Sequence, residues 1–362
     1  MKKMFSFIAA ALILLTGCGE SNVPQTGYTK YSAQFYGTFD TIVQIIGYSK
    51  SEEDFSRYAS QIKSRMEELS HLYDIYYEYS GENNIKTIND NAGIQPVAVQ
   101  EEILDLIEFC QEWYEKTDGK VNIALGPVLA IWHSYMERYS ADASDAKLPQ
   151  MDKLQEKLPL CNMSDVIVDR EAGTVYLARK GMSLDVGAVA KGYATQLACQ
   201  EVYEAGFTSF IVSAGGNVVA GDPPLDGVRS SWGVGIQDPF TADELNGGNS
   251  VDVAYVRNTC VVTSGDYQRF YMVGEQRVHH IIDPDTLMPA DYYRGVTVIT
   301  PDSGIADLAS TTLYTMPYER SRTMAEQMGW EAMWIFADDT IECTDGMISL
   351  LRDRGGATGL LS

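Results

Sequence analysis

The segment from Asp185 to Gly221 constrains the fold most, because it predicts helix and strand in close succession. The letters SLD predict a short strand that ends in an acid, and a glycine turn follows at Gly187. Apolar residues then recur at helical spacing: Ala190, Ala194, Leu197, Val202 and Ala205. Gly206 is a candidate C-cap. The next stretch, FIVSAGGNVVAGD, predicts strand around a Gly-Gly, where the backbone bends or approaches another group closely.

Helix and strand patterns mix along the rest of the chain without a strict βαβ rhythm. FYGTFDTIVQIIGY has strand composition, and the residues from Ser51 to Leu72 and from Gln100 to Thr117 have the spacing of amphipathic helices. The Tyr- and Asn-rich stretch between these helices predicts a loop. GIADLASTTLYTM predicts a late helix after a series of short strands. The mixture predicts an α+β fold, with one large domain of two merged α/β subdomains.

The N-terminus has the features of a bacterial lipoprotein signal. Lys2 and Lys3 precede the apolar run MFSFIAAALILL, which is shorter than the roughly 20 residues of a membrane-spanning helix, and LTGC ends at Cys18. We predict a signal peptide over 1–17, a polar tether over 18–31 with lipidated Cys18, and a globular domain over 32–362. The mature protein is then membrane-bound through lipid alone, outside the cytoplasm. An ordinary secretory signal is the alternative.

The charge balance restricts the ligands and partners. The chain has 50 acidic and 27 basic residues, which speaks against nucleic acid as a partner. An anionic ligand needs local compensation by a metal ion, a lysine or a helix N-terminus.

The cysteines after Cys18 are Cys110, Cys161, Cys199, Cys260 and Cys343. They form no CxxC or Cys/His metal pattern. Buried free thiols are expected, with one disulfide as the alternative.

The late helix carries a possible metal site. Its apolar stripe consists of Ile305, Leu308, Ala309, Thr312, Leu313 and Met316. Asp307 and Thr311 fall opposite this stripe and four residues apart, so their side chains stack on one face. A carboxylate and a hydroxyl are hard oxygen ligands suited to Mg²⁺. The alternative is a solvated polar face on which Asp307 complements the helix N-terminus.

Two further places could contact an anionic ligand. Lys191 lies in the first turn of a predicted helix, where phosphate binds readily, although neither GxxxxGK[ST] nor GxGxxG is present. The alternative for Lys191 is an ordinary surface lysine. Asp185 either accepts a hydrogen bond from a ligand amine or caps the helix.

The motif HHIIDP contains the second place. His280 could act there as a general base, and the alternative is a histidine that only belongs to a strand. Thr263–Gly265 predicts a phosphate-binding turn or a hairpin corner.

The motifs SLDVGAVAKGYA, SAGGNVVAGD, TSGDYQRF, HHIIDP and ADLASTTL occur in this order, after YDIYYEYSGENNIKTIN and DGKVNIALGPVLAIW. Over about residues 35–316 the chain thereby resembles the ApbE family of FAD:protein FMN transferases. The resemblance implies a ligand site between the two subdomains and Mg²⁺-dependent transfer of FMN from FAD to a threonine hydroxyl, with release of AMP. The acceptor would be a flavoprotein, either an Rnf or Nqr type subunit or an extracellular protein.

The resemblance also implies roles for individual residues. The metal ligands would be Asp307, Thr311 and the backbone carbonyl of Ala188, and His280 would take the proton of the acceptor threonine. The remaining positions would contact FAD: Tyr36, Tyr76, Tyr79, Lys120, Val121, Asn122, Asp185 and Lys191.

The chain departs from the family pattern at several positions. Tyr36 replaces a common Met, Asn122 a usual Asp, Leu287 a common Gly, and Gly304 an acid that some members carry. Besides the transferase, we therefore consider a FAD pyrophosphatase that releases FMN and AMP, and a non-enzymatic flavin-binding lipoprotein.

Overall fold

The computed structural model describes residues 26–242 and 248–354. The predicted signal peptide and Cys18 lie outside the described residues. Strand β1 begins at Thr29, so the last three residues of the predicted tether, 29–31, belong to the folded sheet.

Strands and helices alternate irregularly along the described chain. The strands are β1 (Thr29–Thr38), β2 (Thr41–Ser49), β3 (Val97–Ala98), β4 (Val166–Asp169), β5 (Thr174–Leu177), β6 (Phe210–Ala214), β7 (Asn217–Ala220), β8 (Trp232–Gln237), β9 (Ser250–Val256), β10 (Thr259–Gly265), β11 (Phe270–Val273), β12 (Gln276–His279), β13 (Gly295–Thr300), β14 (Glu331–Ile335) and β15 (Ile341–Cys343). The helices are α1 (Glu52–Leu72), α2 (Ile85–Asp90), α3 (Glu101–Lys116), α4 (Gly126–Ala141), α5 (Met151–Gln155), α6 (Ala190–Glu204), α7 (Ser303–Tyr314), α8 (Tyr318–Met328) and α9 (Asp345–Leu350).

One eight-stranded sheet organises the molecule, in the order β1-β2-β6-β7-β10-β13-β14-β15. Every neighbouring pair in it is antiparallel. Antiparallel pairing needs no crossover helix between successive strands, which explains the missing βαβ rhythm. The predicted α+β class is therefore confirmed.

The sheet is covered on both faces. Apolar residues of α1, α3, α6 and α7 form the large core on one face. The other face packs against the β8–β9 pair and α9, with Trp232 and Met347 in that core. A third cluster joins α4 to the β11–β12 hairpin. Strand β6 is buried along its whole length because it lies between the first two cores.

The predicted long helices are confirmed by α1, α3, α6 and α7. Ser51 caps α1 by accepting the amide of Asp54 at 3.1 Å, and the predicted C-terminal glycine of α6, Gly206, has a positive φ of 98° directly after the helix. The helix after the Gly-Pro pair, α4, has Pro127 in its first turn, where the missing N–H costs nothing.

The predicted strand before Gly187 is wrong. Residues 182–186 have no regular structure, because the side chain of Asn89 binds both backbone groups of Leu184 that a neighbouring strand would need. Asn89 Oδ1 accepts the Leu184 amide at 2.6 Å, and Nδ2 donates to the Leu184 carbonyl at 2.9 Å. The predicted Tyr/Asn loop runs into helix α2. A capping box between Asn84 and Thr87 marks the start of this helix.

The five cysteines after Cys18 are all free and buried, as expected. Within residues 26–242 and 248–354, no helix has the length and apolarity needed to cross a membrane.

Candidate active site

Helices α6 and α7 meet at a glycine. A Cβ atom on Gly192 would lie 2.3 Å from the carbonyl oxygen of Ser303 and 2.5 Å from Cβ of Asp307, so no larger residue fits there without movement. The close approach lets the Gly192 amide donate to Asp307 Oδ2 at 2.8 Å. We call this contact region, with Lys191 and Thr311, the α6–α7 junction.

Asp307 is buried in the junction, with 7% of its surface exposed. The alternative of a solvated polar face is therefore wrong for Asp307: α7 packs against α6 on one side and against β10 and β13 on the other, so Asp307 and Ser310 are covered, while Thr311 is half-buried. Burial raises the pKa of the Asp307 carboxyl, and the charge of Lys191 and the Gly192 amide oppose that rise. A buried carboxylate with a cation beside it is typical of a ligand site.

Thr311 lies one helical turn beyond Asp307. Its hydroxyl oxygen is 3.2 Å from Oγ of Ser264, which also lies 2.8 Å from Oγ of Ser310. Ser264 and its neighbours continue strand β10 opposite β13, so Thr263–Gly265 is neither the predicted phosphate-binding turn nor a hairpin corner. The end of β10 instead adds hydroxyl groups beside α7.

Lys191 lies in the first turn of α6, as predicted, and it is half-buried. Its Nζ donates to Oδ1 of Asn217, the residue after the Gly215–Gly216 turn that joins β6 to β7. Burial, together with the charge of Arg269, lowers the pKa of Lys191, and Asp307 opposes this shift. Nδ2 of Asn217 is buried beside the Asp307 carboxyl, where its donor hydrogen also opposes the rise of the Asp307 pKa, so the site contains a donor suited to an anionic oxygen.

A second group of polar residues comes from three separate segments. The hydroxyl of Tyr76, in the loop after α1, is 3.1 Å from Nδ1 of His133 on α4. Nε2 of His133 is 3.7 Å from Oδ2 of Asp185. Asp185 also accepts the Gly187 amide at 2.9 Å, so it caps the turn before α6. We call Tyr76, His133 and Asp185 the tyrosine–histidine cluster.

His280 follows the last residue of β12. Its backbone amide and its Nδ1 both approach the carbonyl oxygen of Arg269, at 3.2 and 3.3 Å, so the β11–β12 hairpin holds the ring. Burial lowers the pKa of His280 to about 3, and the charges of Arg269 and His279 add to this. The neighbouring His279 is a strand histidine whose Nε2 lies 2.7 Å from the carbonyl oxygen of Ala290.

Arg269 connects the two groups of residues electrostatically. It is exposed, and its charge adds to the lowering that burial gives the pKa values of Lys191 and His280. It opposes the rise that burial and Asp185 give the pKa of Tyr76. The α6–α7 junction, the tyrosine–histidine cluster and His280 therefore border one region.

The predicted segment Lys120–Asn122 has mainly structural contacts. Lys120 Nζ is 2.6 Å from Asp283 Oδ1 and 2.9 Å from both Asp285 Oδ2 and the Thr315 carbonyl oxygen. The side chains of Lys120 and Asp283 are 2% and 3% exposed, so this is a buried ion pair. Val121 is buried too. Asn122 caps the short helix Ile123–Leu125 and donates to the Cys161 carbonyl at 3.0 Å. Contact of these three residues with a flavin stays a prediction.

The other predicted ligand contacts differ in their surroundings. Tyr79 stacks on His71 and donates to Asp74 Oδ2 at 2.8 Å. Tyr36, near the end of β1, is 56% exposed. Ala188 lies in the exposed turn before α6. Among the described residues, no three His, Cys, Asp or Glu side chains form a cluster that could hold a metal ion.

With this geometry in place, comparison with known proteins identifies the family. The ApbE family model matches residues 37–334. The chain belongs to the ApbE family. The FAD:protein FMN transferase of Treponema pallidum is 31% identical over 329 residues, which cover 86% of each chain. A FAD:protein FMN transferase of Klebsiella pneumoniae is 30% identical over 72% of this chain and 77% of the relative.

Solved structures of ApbE proteins share the fold. The ApbE protein of Thermotoga maritima has a TM-score of 0.77 and 27% identity, covering 90% of this chain and all of that one. The flavin transferase ApbE of Vibrio cholerae has a TM-score of 0.72 at 20% identity, which shows the common fold alone. The resemblance in the ordered motifs is thus confirmed at the level of family and fold.

Two of the positions expected to depart from the ApbE pattern, Leu287 and Gly304, have distinct local surroundings. Leu287 keeps the backbone conformation that glycine favours, with φ of 62°, and its carbonyl accepts from the Trp132 indole at 3.0 Å. At Gly304, a Cβ atom would come within 3.2 Å of Asp302 Oδ1 and of the Tyr193 ring, so an acid there would be crowded.

Sequence reasoning about this ApbE protein missed His133, Arg269 and Asn217. Arg269 and Asn217 lie inside quoted motifs, TSGDYQRF and SAGGNVVAGD, and a search for polar residues beside glycine turns would have found Asn217. His133 lies on an otherwise ordinary helix, and its role depends on residues 57 and 52 positions away in sequence. No local signal marks it.

Proposed function

We propose that this protein transfers FMN from FAD to a threonine hydroxyl of an acceptor flavoprotein, in a Mg²⁺-dependent reaction that releases AMP. The observation that carries the proposal is the α6–α7 junction, where the buried Asp307 carboxylate and the Thr311 hydroxyl lie one turn apart beside Lys191. Membership of the ApbE family and the names of the relatives support the same activity.

The residues of the junction fit a magnesium ion. Asp307 and Thr311 supply hard oxygen atoms, and the exposed turn at Ala188 offers a backbone carbonyl. Gly192 already fixes one carboxylate oxygen of Asp307, as outer partners of metal ligands commonly do. Mg²⁺ bound there would neutralise charge on the diphosphate of FAD.

The cations of the site fit the rest of the diphosphate. Lys191 and Arg269 are basic side chains that border this site, and the buried Nδ2 of Asn217 can donate to a phosphate oxygen. Phosphoryl-type transfer depends mainly on position and charge neutralisation. In a chain of net charge −23, such local positive groups are needed to hold an anionic ligand.

His280 is suited to accept the proton of the attacking hydroxyl. Its Nδ1 faces a carbonyl oxygen, which can only accept, so Nδ1 carries the hydrogen and Nε2 has the free lone pair. The lowered pKa keeps the ring neutral near pH 7, so it takes up a proton only with the help of negative charge that develops beside it.

The bonds that form and break follow from this arrangement. The threonine oxygen bonds to the phosphorus of the FMN phosphate while the bond from that phosphorus to the bridging oxygen breaks. The bridging oxygen leaves with AMP, and the hydroxyl proton passes to Nε2 of His280. Lys191 and Arg269 stabilise the charge on the departing phosphate.

The test is to incubate the purified protein with FAD, Mg²⁺ and a threonine-bearing acceptor domain, and to weigh the products by mass spectrometry. We expect the acceptor to gain the mass of an esterified FMN, and to gain none when its threonine is changed to valine. Free FMN and AMP without a modified acceptor would instead indicate a pyrophosphatase. Intact FAD in every sample would indicate a flavin-binding lipoprotein.

We also propose that the protein acts on the outer side of the cytoplasmic membrane, held there by lipid on Cys18. The basic start, the short apolar run and LTGC support this. In cells grown with labelled fatty acid, the wild-type protein is expected to carry the label and Cys18→Ser to carry none. A wild-type protein without label would contradict the anchor.

A further inference from the structure

Two tyrosines of the loop after α1 could contact a flavin, and their surroundings differ. Tyr79 is occupied on one face, since its ring stacks on His71 with centroids 3.9 Å apart. Tyr76 is 58% exposed, and its side chain meets His133 through the hydroxyl and through a tilted ring contact with centroids 6.2 Å apart. Of these two predicted contacts, Tyr76 therefore has the ring with more surface available to another aromatic group.

The hydroxyl of Tyr76 is held by a histidine on a firmly placed helix. His133 follows Trp132, whose ring is 2% exposed and whose indole N–H donates to the Leu287 carbonyl at 3.0 Å. The anchored tryptophan fixes α4 against the loop that follows His280. His133 Nδ1 is then 3.1 Å from the Tyr76 hydroxyl.

Asp185 determines which nitrogen of His133 accepts. The carboxylate is itself fixed by the Gly187 amide, and the Asp185 backbone amide donates to the Ile123 carbonyl at 2.8 Å. A carboxylate 3.7 Å from Nε2 favours hydrogen on that nitrogen. Nδ1 is then the acceptor, and the Tyr76 O–H donates to it.

We propose that His133 is a positioning residue that holds the Tyr76 hydroxyl so that Tyr76, rather than Tyr79, stacks on the flavin. The proposal rests on the proposed function, because that function makes FAD the ligand. A loop tyrosine fixed before binding loses less conformational entropy when it stacks. Offset stacking of aromatic rings then contributes to affinity.

The first experiment measures FAD binding to the full-length chain by quenching of flavin fluorescence, without Mg²⁺ or acceptor. His133→Ala is expected to weaken binding about tenfold. An asparagine places its amide oxygen near the position of Nδ1, so His133→Asn should bind FAD within about threefold of wild type. A glutamine reaches the Nε2 position instead, so the FAD affinity of His133→Gln should resemble that of His133→Ala. Unchanged binding by His133→Ala, or restoration by Gln and not by Asn, would overturn the proposal.

A double-mutant cycle separates positioning from general disturbance of the loop. Tyr76→Phe keeps the ring but loses the hydroxyl, and we expect it to weaken FAD binding by about as much as His133→Ala. When His133→Ala is added to Tyr76→Phe, the affinity for FAD should then fall by less than a further twofold. If the effects of the two substitutions on affinity multiplied, the proposal would be contradicted. Ser134→Ala, which removes a hydroxyl bonded only within α4, is the matched control, and all variants are compared by melting temperature.

The binding assay also distinguishes failure of this inference from failure of the proposed function. Without an acceptor it reports on His133 even if no FMN is transferred. Where transfer is observed, His133→Ala should raise the KM for FAD about tenfold and leave kcat within twofold. A lower kcat with an unchanged KM would overturn the positioning role while leaving the transferase activity intact.

Discussion

The α6–α7 junction and the tyrosine–histidine cluster border the same region but are built differently. In the junction, polar side chains are packed so closely that only glycine fits at position 192. In the cluster, an exposed tyrosine from a loop meets a partly exposed histidine from a helix, and the separation to Asp185 is 3.7 Å. One part of the site is closely packed around Gly192, and the other is open to solvent.

This difference matches the two tasks that the proposed reaction requires. Charge neutralisation is strongest where water is excluded and groups are already in place, as at the junction. A large substrate must enter and leave, which an exposed aromatic side chain allows. We therefore expect substitutions at the junction to change kcat and stability, and those in the cluster to change KM.

The largest effect is expected from Asp307→Asn. The change removes the charged oxygen ligand and should lower transferase activity at least about 10³-fold, a size typical for loss of a key electrostatic group. Because burial raises the pKa of Asp307, the charged form is the costly one, and the variant should melt no lower than wild type. Thr311→Ser, which keeps a hydroxyl, should retain most activity, whereas Thr311→Val should not. Full activity of Asp307→Asn would remove the basis for a metal site at the junction.

The next largest effect concerns the ion pair that holds the loop after His280. Lys120→Met leaves Asp283 buried without its cation and should lower the free energy of unfolding by about 3–5 kcal/mol. Urea unfolding measures this loss. Adding Asp283→Asn to Lys120→Met should recover much of the stability. If Lys120→Met were neutral for stability but weakened FAD binding, Lys120 would belong to the flavin contacts after all.

A smaller effect tests the packing of the junction directly. Gly192→Ala forces a methyl group against the Ser303 carbonyl and should cost about 1–3 kcal/mol, as overpacking does. His133→Ala, in the open cluster, should cost less than about 0.5 kcal/mol. Thermal unfolding of both variants decides the comparison, and equal losses would mean that the two regions do not differ in rigidity.

The smallest predicted effect is a pH dependence of stability. Burial lowers the pKa of His279 to about 4, below the ordinary value of 6.5. As the pH falls from 6.5 towards 4, the unfolded chain takes up a proton that the folded chain does not, so stability falls with it. From pH 6.5 to 5 this histidine should account for about 1.5 kcal/mol. His279→Gln should remove this part of the slope and leave the part due to His280, whose pKa burial also lowers. A slope equal to that of wild type in His279→Gln would show that His279 does not contribute.

Sequence analysis predicted the junction better than the cluster, for a physical reason. Asp307 and Thr311 share one helix, so their spacing determines that they stack, and only their burial was missed because it depends on what packs on both sides of α7. Tyr76, His133 and Asp185 come from three segments, and no local period relates them. Lys120 shows the same limit: its position was predicted as a flavin contact, but its partners lie 163 and 195 residues away.

Those long separations also affect how the protein folds. Lys120 bonds to residues 283 and 315, so the loop beside His280 is not fixed until nearly the whole chain is available. Contacts so distant in sequence form late, because closing long loops costs entropy first. A nascent or truncated chain that ends before Thr315 would lack the tie between these segments. The loop that follows His280 would then reach its final position only in a chain that extends past residue 315.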